Sequence, residues 1–429
     1  MSSEFFLFLP KKIMRITEPF KALKAPLFAR LYSAQAISLL GDAFTWMGIA
    51  LLAYEFGGKE SAKILAVSLT LRVTAFILFG SYAGVLADRF NRKKIMIFTN
   101  LCRMLIVISL VFINRVWQLY ILIFILNIFN AFFTPAFKAC IPQLIKEKEN
   151  YGKAISLSNA TWQLLGILGP GLAGAMAVLW GSRQIFIFDA FSFLFSSALV
   201  VFIPIASISE KSINLRSSFV NVWSDVSKGT KLLFSLKPIR FALLIELTAA
   251  IAGAQIIVNT IGHIKGDLLF SDREYGWTMA AFGIGATIGA FSSDSADRSK
   301  NKTILLTIGA LLLACAVSAA NFVSLGVFIV LWILAGIGQN FACMPSQILI
   351  AENFSKEKQG TIYGSHFAWT HLWWALGYIL AGITGTLLKN YDFLTGGLIS
   401  ILLLVVFSAF RIVNRKQPKE NQDKGLTAG

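Results

Sequence analysis

The chain has 429 residues, 56% of them hydrophobic and only 14% charged, with a mean hydropathy of +0.68. Soluble domains carry about a quarter charged residues, and single soluble cores stop growing near about 250–300 residues, so this much apolar surface needs the bilayer as its solvent. The net charge of +17 then reads as charge gathered in cytoplasmic loops; no basic segment has the context of a nucleic-acid surface.

The N-terminal segment, 1–27, places the apolar Phe5–Leu9 before Lys11 and Lys12. A signal peptide has the opposite order, so this end is expected to remain, on the cytoplasmic side. Runs of spanning length follow at 28–54, 64–87, 95–113, 118–141, 154–180 and 184–208. A polar stretch at 209–238 carries Lys211, Arg216, Lys228, Lys231 and Lys237 with Phe219 and Trp223, the composition of an amphipathic helix on the membrane surface. Six more runs occupy 239–263, 275–293, 303–322, 325–348, 361–388 and 393–413, before a basic tail at 414–429. The expected fold is an all-α membrane protein of twelve transmembrane helices in two pseudo-symmetric six-helix bundles, 28–208 and 239–413. Cys102, Cys140, Cys315 and Cys343 lie inside apolar runs without a CxxC pair, so packed thiols are expected rather than disulfides.

With both ends inside, the cytoplasmic loops hold 29 Lys and Arg against 7 outside. That excess sets the orientation and requires an even number of spans. The two halves are internally repeated. Ala87-Asp88-Arg89 recurs as Ala296-Asp297-Arg298, displaced by 209, and Lys146-Glu147-Lys148 as Lys356-Glu357-Lys358, displaced by 210. Leu172-Ala173-Gly174 recurs as Leu380-Ala381-Gly382, displaced by 208. Three matches in order at nearly one displacement indicate duplication.

Between the second and third spans stands Gly84-Val85-Leu86-Ala87-Asp88-Arg89-Phe90-Asn91-Arg92-Lys93-Lys94. It resembles the signature loop of the major facilitator superfamily. Asn91 occupies a position where the family has Gly, and its tolerance of positive φ is expected to preserve the turn. The resemblance implies a cytoplasmic latch built from Gly84, Asp88, Arg89 and Arg92, which holds one conformation shut and releases in the other. In the second half Ser293 and Asn301 replace Gly84 and Arg92, so the second latch is expected to be weaker.

The fifth span carries Gly166-Ile167-Leu168-Gly169-Pro170-Gly171-Leu172-Ala173-Gly174. Small residues at these spacings let helices approach closely, and Pro170 kinks the run. The stretch resembles the conformational motif of the superfamily's exporters, which implies efflux. Gln35-Ala36-Ile37-Ser38-Leu39-Leu40-Gly41-Asp42, Phe133-Thr134-Pro135-Ala136-Phe137 and Phe188-Asp189-Ala190-Phe191-Ser192-Phe193 are similar to the branch of macrolide-efflux and enterobactin-exporter proteins. A looser likeness, around the eleventh span, is to nickel-resistance exporters. The branch implies a bacterial inner membrane and a monomer.

Ionisable residues inside membrane helices are functional candidates by default. Asp42 lies midway along the first span and Glu246 in the equivalent seventh span; both are expected to serve proton coupling. Alternatively Asp42 is expected to be a structural partner for a helix dipole or an arginine, with Arg103 in the third span as the candidate. Asp189 and Arg72 lie near the ends of their runs and are expected to reach the interface. His366 and His371, five apart, diverge by about 140° on a helix, so by themselves they make a poor chelate. By the repeat His371 matches Gln163. Gln163, His366, Trp369 and His371 are expected to line a substrate cavity.

Three functions remain open. The first is a proton-coupled exporter of an amphipathic small molecule of drug or siderophore type. The second is a divalent-metal exporter using Asp42 and His371 as ligands. The third is a lipid flippase or a non-transporting sensor. No phosphate loop, nucleophile–base pair or HExxH run occurs, so neither an enzyme nor a cofactor is expected; the expected partners are a small-molecule or ion substrate, protons and the lipid bilayer. The orientation has a direct check. Single cysteines placed at 89–94, 209–238 and 411–429 should react with membrane-impermeant thiol reagents only in inverted vesicles; labelling of 209–238 from outside intact cells would overturn the two-halves topology.

Overall fold

A computed structural model describes residues 18–145, 148–204, 215–292, 302–354 and 356–415. Most of the side chains in the latch loop and in the middle of the fifth span are outside that description. A short 3-10 turn, Glu18–Lys24, leads into α1 (Pro26–Gly57). The chain continues through α2 (Ser61–Arg89), α3 (Arg92–Phe112), α4 (Val116–Leu144), α5 (Lys148–Trp180) and α6 (Ile185–Val201). After α7 (Leu215–Ser235) come α8 (Lys237–Ile261), α9 (Asp272–Ser292), α10 (Lys302–Ala319), α11 (Leu325–Asn353), α12 (Lys356–Leu387) and α13 (Asp392–Arg415). Twelve of these coincide with the predicted spans, and α7 is the amphipathic segment between them. Seven stretches of the described chain are long and apolar enough to cross a membrane, the first of them, Pro26–Gly80, taking in both α1 and most of α2.

The ends of the elements follow local chemistry. Pro sits in the first turn of α1 and again of α8, where its missing N–H costs nothing. The turn between α1 and α2 uses Gly58 at φ +50°, a conformation that disfavours a side chain. Asn91 stands at φ −59° and caps α3, its side chain accepting from the backbone N–H groups of Lys93 at 3.0 Å and Lys94 at 3.3 Å. The expectation of a positive φ there is corrected: Asn serves by capping the orphan N–H groups of a helix start. The sixth helix ends at Val201, seven residues short of the predicted run, because Pro204 follows and the residue before a proline avoids helical geometry.

The helix pairs repeat across the two halves. In the first half α1 packs on α5 and α6, α3 on α4 and α6, and α2 on α4. In the second half α8 packs on α12 and α13, α10 on α11 and α13, and α9 on α11. Every pair of the first set has its counterpart seven helices later. Between the halves the main contacts are α5 with α9 and α12 with α2, again one pair and its counterpart. Within the second half α8 is the most enclosed span: Thr248 to Ile256 are all buried. Its Ala and Gly residues let the surrounding helices come close.

The seam between halves depends on closely packed glycines, two of them related by the repeat. A Cβ on Gly174 of α5 would strike the Cα of Gly276 in α9, and one on Gly382 of α12 would strike the Cβ of Ala66 in α2. The two glycines stand 208 apart and their partners 210 apart, so the duplication placed both contacts. Lys265, beyond α8, adds a cation–π contact 4.6 Å over the Tyr54 ring at the same end. Along α2 and α12 the contact then fades. Gly80 lies eighteen residues from Ala62, five turns on, and Gly364 lies eighteen from Gly382, so both point along the facing stripes. A Cβ at either would meet nothing within 4 Å. The two helices therefore splay toward the end that carries the chain termini. Replacing Gly174 with Val should destabilise the protein by about 1–3 kcal/mol through overpacking. Gly364→Ala should stay within about 0.5 kcal/mol of the parent, and thermal unfolding of the purified variants compares the two.

Candidate functional site

Each half holds a polar centre inside its bundle. In the first, α1 contributes Ser38, Asp42 and Thr45, α3 Asn100 and Arg103, α4 Asn130, and α6 Asp189, Ser192 and Ser196. Arg103 is 2% exposed. It donates to Asn130 Oδ1 at 2.6 Å, to Asn100 Oδ1 and to Ser38 Oγ at 3.5 Å, and lies 3.8 Å from the Asp42 carboxylate. Its guanidinium sits between the faces of Phe133 and Phe193, at 4.4 and 4.2 Å. A delocalised cation tolerates this setting because its edge makes hydrogen bonds while its faces stack.

Asp189 is completely buried and accepts from Thr45 Oγ1 and, at 2.9 Å, from Ser192 Oγ. Gly41 makes this possible, since a Cβ there would land on Asp189 and Ser192. Expectations for two charged residues are corrected here. Asp189 does not reach the interface; though only five residues into α6, it points inward against α1. Arg72 is the twelfth residue of the 29 in α2, far from an end, and stacks 4.2 Å over the Trp46 ring. Hydropathy locates a residue along a run, but the side it faces depends on the neighbouring helix.

The second centre joins α8, α11 and α12. His366 Nε2 lies 3.0 Å from Glu246 Oε2 and 3.2 Å from Oε1, and Ser346 Oγ donates to Oε1. Glu246 is 5% exposed and His366 3%. Sequence reading singled out both residues without pairing them. Ser346 was missed altogether, because a serine in an apolar run gives no signal of its own. Gln339 reaches the Cys343 thiol in the same helix at 3.3 Å.

The other expected site residues are dispersed. His371 turns away from His366, as their spacing requires. Its Nδ1 meets the Phe367 carbonyl at 2.9 Å and its ring faces Phe76 of α2, with centroids 6.3 Å apart. Trp369 donates to Thr230 Oγ1 of α7 at 3.1 Å and packs on Phe234. It fixes the amphipathic helix beside the turn that carries His366. In the latch loop, Arg92 donates to the Ala139 carbonyl of α4 at 2.7 Å. Gly84, Asp88 and Arg89 lie in the last turns of α2, with side chains outside the described set. The same holds for Gln163, Gly166, Pro170 and Gly171 in α5. Gly169 of that motif meets Ala43 of α1, and Gly174 forms the seam. Among the described residues no three His, Cys, Asp or Glu side chains converge as a metal-ligand set.

Two bundles related by duplication, joined along a seam and each holding a charged centre, describe a transporter architecture. A family profile of the Major Facilitator Superfamily matches residues 31–261 and 243–428. The chain belongs to the Major Facilitator Superfamily. Among its relatives, an uncharacterized MFS-type transporter, YfiS of Bacillus subtilis, is 28% identical over 82% of this chain and 85% of its own. Macrolide efflux protein A of Streptococcus pyogenes is 24% identical over 88% of this chain and 94% of its own. The crystal structure of the nucleoside transporter NupG superposes with a TM-score of 0.68 at 14% identity, over 90% of this chain and 99% of that one; this likeness concerns the fold. The superfamily assignment makes the chain a multi-pass membrane transporter, with efflux proteins among its relatives.

The centre around Arg103 can be tested by its energetics. Arg103→Gln leaves Asp42 without its neighbour and should destabilise the protein by about 3–5 kcal/mol, the cost of breaking a buried charged pair. Combining it with Asp42→Asn should recover part of that loss. A double-mutant cycle on thermal or denaturant unfolding measures the coupling.

Proposed function

We propose that this transporter is a proton-coupled exporter of an amphipathic small molecule. It works as a monomer, by rocking the halves 28–208 and 239–413 about the seam, with the segment 209–238 as their link and 1–27 and 414–429 in the cytoplasm. The observation that carries this reading is the splay of α2 and α12. They touch at Gly382 and Ala66 and part toward Gly80 and Gly364. With the 29-to-7 excess of Lys and Arg on the terminal side, the open end is cytoplasmic. An exporter loads from that side and an importer releases to it. The macrolide-efflux relative and the resemblance of the α5 motif to exporters favour export.

The Glu246–His366 pair is the proposed coupling site. Together the two groups hold one proton or two, and the second proton removes the attraction that ties α12 to α8. Because α12 also forms the seam with α2, loosening it biases the halves toward the other state. Asp42 is the second coupling candidate, but its closest cation is Arg103, so its first task is to balance that charge. Gly84, Asp88, Arg89 and Arg92 are assigned to the cytoplasmic latch, where Asp88→Asn is expected to slow transport while leaving abundance near normal.

Inverted vesicles with an imposed pH gradient test the coupling, with radiolabelled amphipathic cargoes, acidic and basic, compared side by side. Glu246→Gln should reduce uphill uptake to the level seen without a gradient, while cargo exchange between compartments persists. Asp42→Asn should keep part of the gradient-driven rate. Uphill transport by Glu246→Gln at the parental rate would move coupling to Asp42.

A further inference from the structure

Arg72 has no role in the reading above, and its surroundings are unusual for a cation inside a membrane bundle. One face of its guanidinium lies on Trp46 of α1. Among the described residues nothing accepts a hydrogen bond from it or pairs with it within salt-bridge distance. Stacking on a ring leaves the five N–H donors free at the edge of the plane. The carboxylate in electrostatic range is Asp42, and Asp42 lies 3.8 Å from Arg103. Isolated charges in hydrocarbon are expensive, so a partly buried arginine at mid-helix with no acceptor among the described residues is available to an occasional partner.

A further donor faces the same place from the other half. Tyr378 of α12 lies within electrostatic range of Arg72, is 7% exposed, and its hydroxyl has no partner among the described residues. His371, about two turns earlier, donates its Nδ1–H to the Phe367 carbonyl, so its Nε2 carries the lone pair and offers no proton. The helix register places Arg72 and Tyr378 together. Phe76 meets His371 across the seam, Arg72 is one turn from Phe76, and Tyr378 is one turn from Gly382, where the halves touch. The two donors therefore sit at the closed top of the cleft, beside Trp46 and Trp374.

Donors that converge from two bundles with no hydrogen-bond acceptor among the described residues describe a receptor for an anion. We propose that Arg72 and Tyr378 bind an acidic group, a carboxylate on the transported amphiphile, whose apolar body lies against the cleft's aromatic side chains. The proposal rests on the exporter reading for its cargo and adds the charge class of that cargo. Because the donors come from α2 and from α12, a bound carboxylate also bridges the halves at the seam they rock about.

The test is equilibrium binding to the full-length protein in detergent, without any gradient. Three probes share one naphthylbutyl body and end in a carboxylate, a primary amide or an amine. The carboxylate should bind the parent protein, and the amide and amine should bind far more weakly. Arg72→Gln should weaken carboxylate binding roughly ten- to hundredfold, the range for a lost charged hydrogen bond. Arg72→Lys should recover part of it, since the charge returns without the planar fork. Tyr378→Phe should cost a smaller factor. The proposal is overturned if the amide or amine binds the parent as tightly as the carboxylate, or if Arg72→Gln binds the carboxylate like the parent. Should Arg72→Gln not purify as a monodisperse protein, the parent's preference among the probes and the Tyr378→Phe titration decide the question. Preference for the amine would end the acidic-group site and leave proton-coupled export standing; loss of coupling in vesicles would leave this binding result untouched.

Discussion

Inside a bilayer, water is not available to satisfy a polar group, so each one must find its partner within the protein. The backbone meets that demand by forming helices. The side chains meet it by gathering into buried polar clusters, and the two described above differ in kind. Arg103 is surrounded by amide and hydroxyl acceptors, two aromatic faces and a nearby carboxylate. These partners satisfy the guanidinium on its edge and on both faces. Glu246 and His366 have each other and a serine hydroxyl, and they are the pair proposed above for proton coupling.

The same demand explains why the halves meet through small residues. Lipid tails are as apolar as the helix surfaces they would leave, so burying hydrophobic area gives little drive for association, and close packing has to supply it. Glycine at 174 and 382 brings backbones together over a short patch, and the rest of the facing stripe is left free to part. A seam of that kind suits the rocking proposed above. The proposed cargo site at Arg72 and Tyr378 lies just beneath it, where a small rotation of the halves is felt first.

Much of this was legible in the sequence. Twelve apolar runs, the amphipathic segment at the midpoint and the duplication survive into the structure, because hydropathy and repeat displacement are properties of single helices. The glycines of the α5 motif were readable as close-approach positions, and Gly174 with its copy Gly382 forms the seam. Glu246, Asp42 and His366 stood out because a charge or an imidazole in an apolar run is conspicuous wherever it points.

What the sequence alone determined, then, was the spanning pattern, the charge asymmetry and the presence of each ionisable group, since these depend on local composition and the cost of polar atoms in hydrocarbon. Only the tertiary structure decided which groups meet. Asp189 was expected at an interface and is buried on Thr45; Asn91 was expected to twist the chain and instead caps a helix; Glu246 found His366, 120 positions away. A helix 3.6 residues per turn sends neighbouring side chains to different neighbours. Pairing therefore rests on how the helices are rotated and packed against one another, which no single run of residues encodes.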